Sequence, residues 1–229
     1  ISTSHLDIGK YVINVSIPVL LNETDLTDNT FIDGIVEIVY TPPPPPWYYL
    51  SVKTEPAGIV LIPGEGWYIE GEQVNLSAPS YLSVQPYIRY KFIYWAVDGI
   101  AEKNSTVTLI MDANHTLIAY YKLQYYMTVI SPYGLPVGQG WYDSGAHAYV
   151  GLNTNIVDHG NGTRRIFTHW SGDAQCTNYT RSAAILMDGP KIAVANWKTQ
   201  YFLSVKTDPP DVVTISGEGW YDEFSNVTL

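Results

Sequence analysis

The sequence predicts an all-β protein made of small tandem modules, and three observations predict it. A long motif recurs at nearly constant spacing. Apolar and polar residues alternate with period two over short runs. Tyr, Trp and β-branched residues are abundant, with 19 Tyr and 7 Trp and aromatics at 14%, a composition that fits pleated, half-buried surfaces. No stretch shows a convincing helical period.

The repeat opens three times, with Tyr48-Tyr-Leu-Ser-Val-Lys-Thr54, Tyr125-Tyr-Met-Thr-Val-Ile-Ser131 and Tyr201-Phe-Leu-Ser-Val-Lys-Thr207, at spacings of 77 and 76. Each opening is followed by Gly-x-Gly-Trp-Tyr, at 64–68, 138–142 and 217–221. The first two copies add a second Trp (Trp95, Trp170), then Met111-Asp112 or Met187-Asp188, then a segment ending at Lys122 or Lys198. Landmarks in fixed order define a repeat architecture, in which thin cores are completed by stacking on neighbours. Copies one and three match each other best, through Ser-Val-Lys-Thr-Glu/Asp-Pro and an unchanged Gly-Glu-Gly-Trp-Tyr. The order is therefore A-B-A. The division is 48–123 for the first repeat, 124–199 for the second and 200–229 for the first half of a third.

Within a copy, Leu50, Val52 and Thr54 alternate with Ser51 and Lys53, and Val74 and Leu76 alternate with Gln73, Asn75 and Ser77. Pro and Gly interrupt every ten residues or so, as turns between strands do. Five or six short strands per copy are expected, strung as beads. The Gly-x-Gly-Trp-Tyr element reads as a turn feeding an aromatic core plug.

Residues 1–41 differ from the repeats. Tyr11–Ile17 and Ile35–Tyr40 alternate as strands around a polar turn at 22–29, too few strands for a sandwich alone. Pro42 to Pro46 then favour an extended polyproline II linker over 42–47. The chain opens at Ile1 without an initiator Met and stops at Leu229 inside a strand-like pattern. A mature product or part of a longer chain is expected. The half-copy would be completed by continuing chain or by strand addition from a neighbouring subunit.

Eight of the 12 Asn lie in Asn-x-Ser/Thr sequons, namely Asn14, Asn22, Asn75, Asn104, Asn114, Asn161, Asn178 and Asn226. Chance would give about two at this Ser and Thr content, and the motif is the acceptor for N-linked glycan in secreted chains. An extracellular, glycosylated chain is the expectation. Glycans would also keep soluble a chain with only 15% charged residues. The net charge of −10 argues against nucleic acid as a partner. No apolar run approaches the length of a membrane-spanning helix. The lone Cys176 cannot staple the fold.

Sites of chemistry are sparse. Asp25, Asp28, Asn29 and Asp33 form an acidic turn that offers oxygen ligands to Ca²⁺ without the spacing of an EF-hand. The same residues favour turns through their own backbone. None of the five His has a partner at metal-binding spacing. His169, Ser171 and Asp173 are too close in sequence to converge as a triad, and copy one has Tyr94, Ala96 and Asp98 there instead. Glu65 and Glu218, near Trp67 and Trp220, lack a consistent second carboxylate, and copy two has Gln139. No catalytic residue and no cofactor beyond glycan are expected.

Two resemblances follow from these residues. Leu6 to Ile13, with Glu23 to Phe31 and its Thr27-Asp28-Asn29 turn, resembles the C-terminal end of a CARDB-type immunoglobulin-like module of archaeal and bacterial surface proteins. Residues 48–229 resemble divergent InlB B-repeats, in versions common in large archaeal surface proteins, through Tyr-x-Leu-x-Val, Gly-x-Gly-Trp-Tyr, the second Trp and the Met-Asp strand. Gln139 and the insert at 158–165 in copy two depart from the common form. The resemblance implies small β modules in stalks, S-layers or surface filaments, partnered by copies of themselves or by other surface subunits. An adhesin or carbohydrate-binding stalk of a larger secreted enzyme is the other reading, and would present exposed aromatic rings.

Overall fold

The computed structural model describes residues 9–16, 22, 24, 30–38, 42–174, 180–210 and 212–228. Every regular element among them is a strand. The chain divides into two compact units, Ile1–Pro46 and Trp47–Leu229.

In the first unit Gly9–Ser16 pairs antiparallel with Thr30–Ile38, with a register shift between Ile13 and Asn14. Residues 42–46 take no regular hydrogen-bonded structure and are exposed, as expected of prolines that lack N–H donors.

In the second unit the opening strand Trp47–Glu55 pairs antiparallel with Gly66–Ile69, Tyr49 opposite Trp67. Its other edge pairs in parallel with the start of a 16-residue strand, His115–Ile130, Leu50 opposite His115 through Glu55 opposite Tyr120. That long strand then pairs antiparallel with Ile88–Val97, which is flanked by Tyr81–Gln85 and Ile100–Glu102. Asp98 and Gly99, both at positive φ, make the tight turn of the second flank, a conformation Gly and Asp tolerate. Gln73–Ser77 and Thr106–Ile110 form a separate ladder. Copy one thus holds eight strand segments rather than five or six. The excess comes from short flanking strands that tight turns add to Ile88–Val97.

The first core contains Leu50, Val74, Leu76, Trp95, Val107, Met111, Leu117 and Ala119. Trp95, Leu50, Met111 and Leu117 are fully buried. Copy two repeats the plan around Met127, Val150, Phe167, Trp170, Met187 and Ala193. A one-residue bulge recurs in both. The register slips between Tyr120 and Tyr121 in copy one and between Phe167 and His169 in copy two, leaving Ile93 and Thr168 unpaired. Strict alternation would put residues three apart on opposite faces. The extra residue resets the phase, so that Phe92 and Trp95, like Phe167 and Trp170, all point into the core.

The long strand His115–Ile130 closes copy one and opens copy two without interruption. Its second half pairs antiparallel with Gly140–Asp143 and in parallel with Lys191 to Val194. Lys191–Leu203 repeats the arrangement, pairing with Thr163–Gly172 on leaving copy two and with Gly219–Asp222 on entering copy three. The copies therefore share one continuous 11-stranded sheet, to which each adds its own two-stranded ladders, and the boundary at 123/124 falls inside the strand His115–Ile130.

Candidate functional site

Two features recur along the chain, the first three times and the second twice. The first is the Gly-x-Gly-Trp-Tyr element. Its Tyr packs inward and donates from its hydroxyl to the carbonyl of the first Gly: Tyr68 to Gly64 at 2.8 Å, Tyr142 to Gly138 at 2.9 Å, Tyr221 to Gly217 at 2.7 Å. That first Gly has φ of 125°, 94° and 113° in the three copies, which side-chain-bearing residues rarely adopt. The Trp points the other way and meets the aromatic ring of the opening strand edge-on: Tyr49–Trp67 at 5.2 Å, Tyr126–Trp141 at 5.2 Å, Phe202–Trp220 at 5.3 Å. The core plug expected of this motif is thus its Tyr alone. The fully buried Trp is the second one, Trp95 or Trp170.

The residue between the two glycines caps an open strand edge. The Val52 N–H donates to Glu65 at 3.1 Å, the Val205 N–H to Glu218 at 3.2 Å, and the Val129 N–H to Gln139 at 3.4 Å. An acceptor oxygen is all the position requires, which explains why Gln replaces Glu in copy two. In copy one the Val52 N–H, then the Tyr49 hydroxyl, hold the Glu65 carboxyl below its ordinary pKa. Occupying a free edge N–H blunts sheet-to-sheet pairing.

The second feature is the junction between copies. At the first, the Arg89 Nε donates to Gln124 Oε1 at 2.9 Å, Gln124 Nε2 donates to Asp143 at 2.8 Å, and Lys122 pairs with Asp143 at 2.9 Å. The Arg89 guanidinium lies between the rings of Tyr81 and Trp141, 4.0 and 4.2 Å from their centroids. At the second junction Arg164, Gln200, Asp222, Lys198 and Trp220 do the same, with bonds of 2.7, 2.7 and 2.6 Å and the guanidinium 4.3 Å from the Trp220 centroid. Gln124 is buried, so both ends of its amide need partners, and both have them. In copy one Trp47 and Ile69 stand where Gln124 and Asp143 stand, and Pro45 where Lys122 stands. Trp67 is accordingly left 63% exposed, beside Trp47 at 56%. Sequence reasoning missed this network. Its signal was present in the recurrences Lys-x-Gln-Tyr and Trp-Tyr-Asp, which were split between the end of one copy and the start of the next.

Removing Arg89 strips Trp141 of its cation and leaves a buried Gln oxygen unsatisfied. Arg89→Ala should cost about 1–3 kcal/mol. In a double-mutant cycle its effect should be non-additive with that of Trp141→Ala, as measured by denaturant unfolding.

A third recurring group differs between copies in a testable way. The protonated His115 donates from Nδ1 to Asp98 at 2.6 Å and from Nε2 to Asp112 at 3.0 Å. Lys191 occupies the same place in copy two, paired with Asp188 at 2.8 Å and Asp173 at 3.4 Å. Partial burial opposes the imidazolium, but the two carboxylates outweigh it and raise the His115 pKa. A group raised in the folded state stabilises fully below its unfolded pKa, about 6.5 for His, and that contribution is lost as pH climbs through the raised value. Copy one should therefore melt earlier as pH rises from about 6 to above the neutral range. Copy two should not, because the carboxylates likewise raise the Lys191 pKa. His115→Lys should flatten the pH profile of copy one in thermal melts.

Of the sequons, Asn22, Asn75, Asn104, Asn114, Asn161 and Asn226 are exposed. Asn75 accepts from Thr108 at 2.6 Å, Asn114 from the Tyr49 N–H at 2.7 Å and Asn161 from the Thr163 N–H at 3.2 Å. In each case Oδ1 is engaged, not the Nδ2 that carries a glycan. Asn14 lies on the strand Gly9–Ser16. Asn178 and Cys176 fall outside the described residues, as do Asp25, Asp28 and Asn29, while Asp33 is on the strand Thr30–Ile38. The structure does not bring His169, Ser171 and Asp173 together. His169 contacts Thr168, Ser171 accepts from Asn196, and Asp173 accepts from the Ile192 N–H and pairs with Lys191. Among the described residues no group of three or more His, Cys, Asp or Glu is placed to hold a metal ion.

Shared strands, edge caps and duplicated junctions define a chain of tandem β-repeat modules. Residues 48–124, 77 of the 229, match the family model of the divergent InlB B-repeat domain. Neither the curated proteins nor the solved structures return a match to the chain.

Proposed function

We propose that the chain is a structural, N-glycosylated part of an extracellular surface protein, serving in a stalk, an S-layer or a filament. The observation that carries this reading is the strand-sharing tandem, with the same junction built twice. It supports a role for the modules as a spacer of fixed geometry rather than as independent binding units. The match to a β-repeat domain found in surface proteins supports it, as do six exposed sequons. In this reading residues 1–41 are the end of an immunoglobulin-like module of archaeal type, and the acidic turn at 25–33 is the place to look for Ca²⁺.

The partners proposed are copies of the same chain or neighbouring surface subunits. In copy one the strand edge Leu50 to Glu55 holds the module's own last strand. The matching stretch of copy three borders a groove of about 540 Å³ lined by Val205, Lys206, Thr207, Val213, Ile215 and Glu218. A strand added there in parallel would complete the module.

Electron microscopy of native material with intact-mass analysis tests the proposal. A regular polymer or lattice, with a mass per chain well above 25.6 kDa, is expected. Dispersed particles with the mass of bare polypeptide would overturn it.

One observation favours an adhesive role beside the structural one. Trp47 and Trp67 are exposed on copy one beside the half-buried Tyr49, an aromatic surface of a kind on which sugars stack. If it binds glycan, Trp67→Ala should abolish retention on a glycan array without changing the melting temperature.

A further inference from the structure

We infer that each complete copy is a mechanical clamp and that the tandem bears tension along its chain. The inference rests on the structural reading above and concerns how such a spacer carries load. Three observations lead to it.

The first and last strands of a copy are neighbours and run parallel. In copy one Leu50 to Glu55 lies against His115 to Tyr120 over six consecutive pairs. In copy two Met127 to Ile130 lies against Lys191 to Val194 over four. Tension draws the start of the first strand backwards and the end of the last strand forwards. In a parallel pair those pulls are opposed along the strand axis. The ladder is loaded in shear, and its hydrogen bonds must yield together. Antiparallel terminal strands meeting at one end would be peeled apart one bond at a time.

The clamps are also joined in series without a linker. The strand His115–Ile130 is gripped on one edge by the clamp of copy one and on the other by the clamp of copy two. Between the grips, residues 121–125 pair with Ile88–Val97 and residues 124–127 with Gly140–Asp143. Load therefore passes through paired backbone from one copy to the next. The junction of Arg89, Gln124, Asp143 and Lys122 ties the three strands at that crossing.

Everything else in a copy is sheltered from the load. Residues 56–114 hang as a closed excursion between the clamped strands, as do residues 131–190 in copy two. Rupture of a clamp would free about 200 Å of extended chain from each excursion, at roughly 3.3–3.6 Å per residue.

Single-molecule pulling tests this on the full chain. The first geometry attaches handles at the two chain ends. The second attaches them at the N-terminus and at Ala113→Cys, in a chain carrying Cys176→Ala. Ala113 is exposed and lies in the turn just before His115, so the second geometry pulls both strands of the copy-one clamp from the same end and peels them. A thermal melt unchanged by the substitutions confirms that both geometries load the same fold. Forced rupture is governed by the unfolding rate along the pulled direction. End-to-end pulling should give two events of about 200 Å each, at forces about twofold or more above that of the peeling geometry. Equal forces, or peeling harder than shear, would overturn the clamp. The outcomes separate from those of the structural reading. A clamp that holds in shear, in a protein that native imaging shows dispersed, sinks the surface role alone. A surface polymer whose copies rupture equally in both geometries sinks the clamp alone.

Discussion

Trp95→Ala is expected to unfold copy one while leaving copy two folded. Trp95 is fully buried, donates from its indole N–H to the Ser105 carbonyl at 3.0 Å, and meets Phe92 with ring centroids 6.1 Å apart. Truncating such a residue costs about 3–5 kcal/mol through lost burial and the cavity left behind. A module of this size holds only about 4–11 kcal/mol in total. Each kilocalorie shifts the melting temperature of a small domain by about 4–8 °C, so the copy-one transition should fall by about 15 °C or more. The equivalent Trp170 lies in a core of different residues, so the copy-two transition should keep its position apart from whatever copy one lends it through the junction. Calorimetry on the full chain resolves the two. A single transition that falls as a whole would show instead that junction and shared strand make the copies one cooperative unit.

Gly138→Ala is expected to be the most damaging change in copy two that removes no contact. Gly138 has φ of 94°, and a Cβ there would sit 2.2 Å from the Tyr149 carbonyl oxygen and 3.0 Å from the Val150 Cα. Backbone cannot swing aside as a side chain can. Strain at positive φ and overpacking against backbone each cost about 1–3 kcal/mol, so a loss of about 2–6 kcal/mol is expected. Gly64 is the same position in copy one, yet its Cβ would meet the Leu76 Cδ2 at 2.4 Å, the tip of a flexible side chain. Gly64→Ala should cost less, about 1–2 kcal/mol. Urea unfolding of the two variants tests the ordering. Equal losses would show that φ alone, not the clash, sets the cost.

The repeat and its period-two alternation were legible because burial follows them directly. Val74 and Leu76 are buried while Asn75 is exposed, as their alternation requires. The role of Tyr68 against Trp67 was not legible, because both are large aromatics and only the register against Tyr48 and Tyr49 decides which faces inward. The bulge at Ile93 was hidden for a related reason. One unpaired residue reverses the phase of everything beyond it, and no residue type marks the position. The junction is hidden because it spans the end of one copy and the start of the next. A Lys, a Gln and an Asp separated by up to 24 residues become neighbours only once the last strand of one copy is known to be the first strand of the next. The Gln139 substitution, which looked like a departure from the motif, is a conserved acceptor once the Val129 N–H is seen to face it.

That continuity is the claim on which the rest depends, and hydrogen exchange of the backbone amides across residues 121–127 tests it most directly. If the copies share one strand, these amides are paired to Ile88–Val97 and Gly140–Asp143. They should then exchange as slowly as the amides of Leu117 and Val129 in the cores on either side, opening only when a module unfolds. Fast exchange at 121–127 between slowly exchanging cores would mean a flexible linker at that boundary, and separate beads in place of a continuous sheet.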